Sequence, residues 1–152
     1  CLVCRKGVAM INTIYGGVSL APQLHQRLEK LLKGYSLPDN AKQLLLTCRQ
    51  LSYYRHGRGI HPVEVQFKRT ANSEPWQIVF FASFSYPFES ALNVQPELYF
   101  HLAQGWCYQP DTGAVNLEHP EVLDLLQVWM KAFARHLSSM DFDEIDLSIV
   151  GK

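Results

Sequence analysis

Long apolar runs are missing from this sequence. The purest, Leu44 to Leu46 and Ile78 to Ala82, are far too short to cross a bilayer as a helix. Charge is sparse too, at 18% of residues against 47% apolar, which excludes a disordered chain. No basic-then-apolar leader opens the chain, so secretion gains no support and a cytoplasmic protein is expected. No HExxH, GxSxG, GxxxxGK(S/T) or GxGxxG occurs, and no serine stands in a nucleophile motif. These absences leave no positive reason to propose an enzyme, and no cofactor is expected.

Cysteine is scarce as well. Cys1 and Cys4 form the one CxxC, while Cys48 and Cys107 stand alone, so a zinc site lacks its second pair of ligands. No metal is expected, and Cys48 and Cys107 read as reduced thiols packed in strands. Asp141, Asp143, Glu144 and Asp146 lack the glycine and ligand order of a calcium loop. Residues 1–9 precede the natural-looking start at Met10 and read as an upstream or disordered segment. Residues 10–152 then form one domain.

What is present is bulky core material: three Trp, seven Tyr and eight Phe. Leucines at 24, 28, 31 and 32 recur at helical spacing and predict a helix over about 21–33. Ser19 is positioned to cap it, Pro22 suits its first turn, and Gly34 stops it. Val122, Leu125, Leu126, Trp129, Phe133 and Leu137 predict a second helix over about 120–137.

Strands are predicted over about 43–52, 61–68, 76–85, 97–103, 105–109 and 143–150. In the second, Val63, Val65 and Phe67 share one face while Glu64, Gln66 and Lys68 share the other. In the third, strict alternation groups Trp76, Ile78, Phe80, Ala82 and Phe84, with Val79 and Phe81 opposite. The acids Glu144 and Asp146 mark the last strand as a sheet edge. The predicted class is α+β: one domain, a mostly antiparallel sheet of five to six strands, and two main helices packed against it.

Charge is zero overall but unevenly placed. Residues 1–70 carry eleven Lys/Arg against three acids, and residues 71–152 carry three against eleven. Such asymmetry marks an anionic partner or, as favoured here, two halves that neutralise each other in one sheet.

Two candidate sites stand out. Tyr53, Tyr54, Arg55 and Arg58 form a predicted loop in which cations suit phosphate and rings suit bases. His61 and Glu64 are the types that do acid–base work, yet strand geometry puts residues three apart on opposite faces. His25, His101, His119 and His136 show no convergence in sequence.

The stretch Gly59-Ile60-His61-Pro62-Val63-Glu64-Val65, followed by Trp76-Gln77-Ile78 and Phe84-Ser85-Tyr86, resembles the bacterial domain-of-unknown-function family 2787. The helix around Leu125 to Phe133 and the closing strand look similar too, and His-Pro-Val-Glu is the most specific piece. The resemblance implies a small gammaproteobacterial protein, of a kind often carried on mobile elements, with no established activity. It transfers no catalytic residue. Two departures stand at Ala82-Ser83-Phe84 and Tyr99-Phe100-His101-Leu102, where members tend to carry acids.

Two functions remain open. One is a non-enzymatic module binding another protein or itself, motivated by apolar Val79 and Phe81 on a second sheet face. The alternative is a nucleic-acid-associated protein using the basic loop Arg55 to Arg58.

Overall fold

The computed structural model of the protein describes residues 10–152, so the reading of residues 1–9, with their Cys1/Cys4 pair, lies outside the described residues. A small hairpin of β1 (Ile14–Tyr15) and β2 (Val18–Ser19) leads into helix α1 (Pro22–Lys33). Then come β3 (Gln43–Arg49), a short helix α2 (Leu51–His56), β4 (Val63–Lys68), β5 (Gln77–Ser85), β6 (Gln95–His101), β7 (Trp106–Gln109) and β8 (Gly113–Asn116). Helix α3 (Pro120–Ser138) and β9 (Glu144–Gly151) complete the chain.

The main sheet has seven strands in the order β8-β7-β6-β5-β4-β3-β9, and every neighbouring pair is antiparallel. Class α+β therefore holds, but the expected five to six strands and two helices are too few. The hairpin β1–β2 is two residues per strand, too short to show a period. β8 stands where the sequence suggests only a turn into the helix. The loop expected around Tyr53 is instead the helical turn α2, closed by Gly57 in the left-handed conformation.

Both long helices lie on one face of the sheet. Leu24, Leu28 and Leu32 of α1 and Leu126, Met130 and Phe133 of α3 share a core with Leu44, Leu46, Val65, Phe67, Ile78, Phe81 and Phe100. Pro22 occupies the first turn of α1, where its missing N–H costs nothing, but Ala21 is the cap and Ser19 does not serve as one. His119 caps α3 by accepting a hydrogen bond from the Glu121 N–H at 3.3 Å.

β5 departs from strict alternation. Irregularities in its pairing fall beside Gln66/Phe67 and at Ser83/Phe84. A bulge adds one residue and turns those beyond it to the other face. Ile78 and Phe81 are both fully buried, and the Phe81 ring packs 5.1 Å from that of Trp129 on α3. Phe81 therefore belongs to the core, and Phe80, not Phe81, marks the second sheet face. β9 is an edge strand, as its acids indicate. There Arg49 Nη1 donates to Glu144 Oε1 at 2.5 Å and lies 3.7 Å from Asp146 Oδ2, so the basic half meets the acidic half in the sheet.

Candidate functional site

Two regions gather chemistry-bearing side chains. The first is a cleft of about 490 Å³ between the helix-covered end of the sheet and α3. His61, just before β4, reaches over β5 to Glu97 of β6, its Nδ1–H donating to Oε2 at 2.5 Å. That hydrogen bond raises the pKa of His61 above the ordinary histidine value, against a smaller opposing effect of burial. His136, near the end of α3, lines the same cleft, and its Nδ1–H donates to Asp141 Oδ2 at 3.1 Å. Trp129, Phe133, Phe142 and Leu98 supply apolar walls, with Ser83 and Gln109 as further polar groups.

Neither imidazole is hydrogen-bonded to a hydroxyl or thiol among the described residues. The cleft thus brings together two imidazoles, each held by a carboxylate. No group of three or more His, Cys, Asp or Glu among the described residues is placed to hold a metal ion. Cys48 is buried, and desolvation pushes its thiol up to about 12, far from a reactive thiolate.

The second region is the other face of the sheet, which no described helix covers. Phe80 of β5, Tyr99 and His101 of β6, and Trp106 of β7 form a continuous aromatic ladder there. Ring centroids stand 4.7 Å apart for Phe80–Tyr99, 5.3 Å for Tyr99–Trp106 and 4.9 Å for His101–Trp106, with interplanar angles of 13° to 27°. The strand spacing of roughly 4.8 Å sets these distances, since each ring hangs from a neighbouring strand. Tyr108 extends the ladder and is 38% exposed. Beside Trp106 and Tyr108 the small residues Ala114 and Asn116 of β8 leave a shallow groove of about 560 Å³.

Polar groups border the ladder. Glu64 and Lys68 of β4 lie beside β5, and burial raises the Glu64 pKa, partly offset by Arg49. His101 has its pKa lowered by burial, reinforced by Lys68. The face therefore has an aromatic centre and a sparse rim of both signs.

The residues singled out from sequence scatter over these regions. Glu64 lies between buried Val63 and Val65 and faces away from the helices, whereas His61 lines the cleft under α3, so the two do not meet. Tyr53 is only 2% exposed, its ring stacked 5.5 Å from Tyr86 and its hydroxyl accepting from the Tyr86 N–H at 3.1 Å. Tyr54 is half-buried, with its pKa raised by burial, while Arg55 and Arg58 are exposed. The partners sequence reading missed are Glu97 and His136 in the cleft, and Phe80, Tyr99 and Trp106 on the open face. For the latter a signal existed: Tyr99/His101 and Trp106/Tyr108 alternate with buried Phe100 and Cys107.

The family model described as a protein of unknown function, DUF2787, matches residues 22–148, most of the chain. Two solved structures share the fold, both of hypothetical proteins from Vibrio cholerae pathogenicity islands. One, from island VPI-2, is 20% identical with a TM-score of 0.76, over 91% of this chain and 99% of its own. It is described as sharing structural homology with the human P32 protein. The other, from island VSP-II, is 21% identical with a TM-score of 0.77, over 91% of this chain and 98% of its own. No curated protein matches the chain.

Proposed function

The chain belongs to the DUF2787 family, a membership that brings no activity with it, and we propose that it is a non-enzymatic protein-interaction module pairing with a second copy through the open sheet face. The observation carrying this reading is the aromatic ladder Phe80–Tyr99–Trp106, half-buried rings on a face no described helix covers. An aromatic centre inside a polar rim is the anatomy of a protein interface, and Tyr and Trp are the side chains that dominate binding energy there.

A second copy suits the face on charge and on area. The chain carries no net charge, and Lys68 and Glu64 place both signs on the rim, so two copies meet across a two-fold axis without a like-charge patch. Seven strands at ~4.8 Å spacing, four to nine residues long and averaging ~17 Å of paired length, make a face of roughly 550 Å². Two such faces bury on the order of 1,100 Å², near the lower end for a stable interface. Packed sheet faces interdigitate their side chains across the gap between them.

The nucleic-acid reading draws less support. Arg55 and Arg58 are exposed, but buried Tyr53 offers them no stacking surface, and the border of the ladder carries the acid Glu64 as well as Lys68.

Sedimentation equilibrium tests the proposal. A concentration-dependent dimer is expected, which Trp106→Ala and Tyr108→Lys abolish while Val128→Lys, on the exposed back of α3, leaves it intact. A wild-type chain that stays monomeric at high concentration overturns the proposal. So does a dimer unaffected by folded open-face variants. Salt-sensitive binding of single-stranded RNA without a dimer would favour the other reading instead.

A further inference from the structure

We propose that the cleft under α3 is a binding site for a small apolar anion, such as a medium-chain carboxylate, held by the imidazoles of His61 and His136. This site is separate from the open face and stands or falls independently of dimer formation.

Volume and lining suit a small molecule. About 490 Å³ falls within the range of ligand cavities, and such sites combine apolar walls with a few convergent polar groups. Here Trp129, Phe133 and Phe142 offer one continuous aromatic wall, their rings 5.3 Å (Trp129–Phe133) and 6.0 Å (Phe133–Phe142) apart. A ligand tail laid on that wall buries apolar area on both sides.

The polar end offers two hydrogen-bond donors to an anion. Each imidazole has its Nδ1 committed to a carboxylate, His61 to Glu97 and His136 to Asp141, which fixes both rings in place. Among the described residues neither Nε2 makes a hydrogen bond to protein, so both remain for a ligand. An imidazole that donates from Nδ1 and carries the second proton presents Nε2–H, a charge-assisted donor matched to a carboxylate oxygen. The bond to Glu97 favours that protonated state in His61. Glu97 and Asp141 each spend one oxygen on a histidine and remain acceptors, so the selection for an anion comes from the two Nε2–H donors and not from the net charge of the cleft.

Wild-type protein titrated with octanoate, octanol and octylammonium below their micelle concentrations tests the assignment, read by the Trp129 indole N–H signal and by amide chemical shifts. Octanoate is expected to shift signals from Trp129, Phe133 and His136. Octanol should bind about ten-fold more weakly, the worth of one charged hydrogen bond, and octylammonium more weakly still. A folded His61→Gln/His136→Gln variant should bind octanoate no better than octanol. The assignment is overturned if no probe perturbs the cleft, or if octylammonium binds as well as octanoate. It is equally overturned if the double variant keeps the preference for the anion.

Discussion

The imidazole of His61 and the carboxylate of Glu97 meet at 2.5 Å across β5, tying together the strands on either side of it. Because the bond raises the folded-state pKa of His61, its contribution to stability is complete below the ordinary histidine value and fades as pH rises through the raised one. Both side chains are about a third exposed or more, so the gain is held to about 1 kcal/mol or less by solvent screening. Urea denaturation of wild type and Glu97→Gln should show a stability gap at a pH below that range which closes well above it. A gap that widens as pH rises would contradict the assignment.

Phe80 and Phe81 are neighbours with opposite fates. Phe81→Ala empties a fully buried site against Trp129 and should cost about 3–5 kcal/mol. Phe80→Ala removes a half-buried ring on the open face and should cost clearly less. Denaturation midpoints of the two variants check this; equal losses would place both rings in the core.

That pair also shows where sequence stops speaking. Alternation in β4 is regular, so the faces of Val63, Glu64 and Val65 are legible from the chain alone. In β5 every candidate position is apolar or small, so no polar residue marks the bulge that sends Phe81 inward and Phe80 outward. The two long helices are legible because Leu24, Leu28 and Leu32, and likewise Leu126, Trp129 and Phe133, form stripes, whereas the short α2 carries none. The cleft is not, because Glu97 and His136 come from elements far from His61 in sequence, and nothing local in any of the three announces the others.

Gly57 and Gly59 both adopt positive φ, at 65° and 112°, but their surroundings differ. A Cβ on Gly57 would meet nothing within 4 Å, so Gly57→Ala should cost only the left-handed strain of about 1–2 kcal/mol. A Cβ on Gly59 would stand 2.2 Å from Gln50 Oε1, the acceptor of the Ile60 N–H. Gly59→Ala must also break that hydrogen bond, adding on the order of 1–3 kcal/mol. Thermal melts should rank Gly59→Ala well below Gly57→Ala; the reverse order would be inconsistent with this turn.

Cys48 is fully buried, and its thiol is pushed up to about 12 by desolvation. Iodoacetamide labelling followed by peptide mass mapping should leave Cys48 unmodified in the folded protein and modify it only in denaturant. Rapid labelling of the native chain at Cys48 would show an exposed thiolate the fold does not provide.

The claim that the open sheet face is the contact surface is tested most directly by amide spectra of the ¹⁵N-labelled chain across a dilution series. Concentration-dependent shifts are expected to cluster at Phe80, Tyr99, His101, Trp106 and Tyr108, with the α1 and α3 backbones still. Spectra unchanged from dilute to concentrated protein, or shifts confined to the helices, would contradict it.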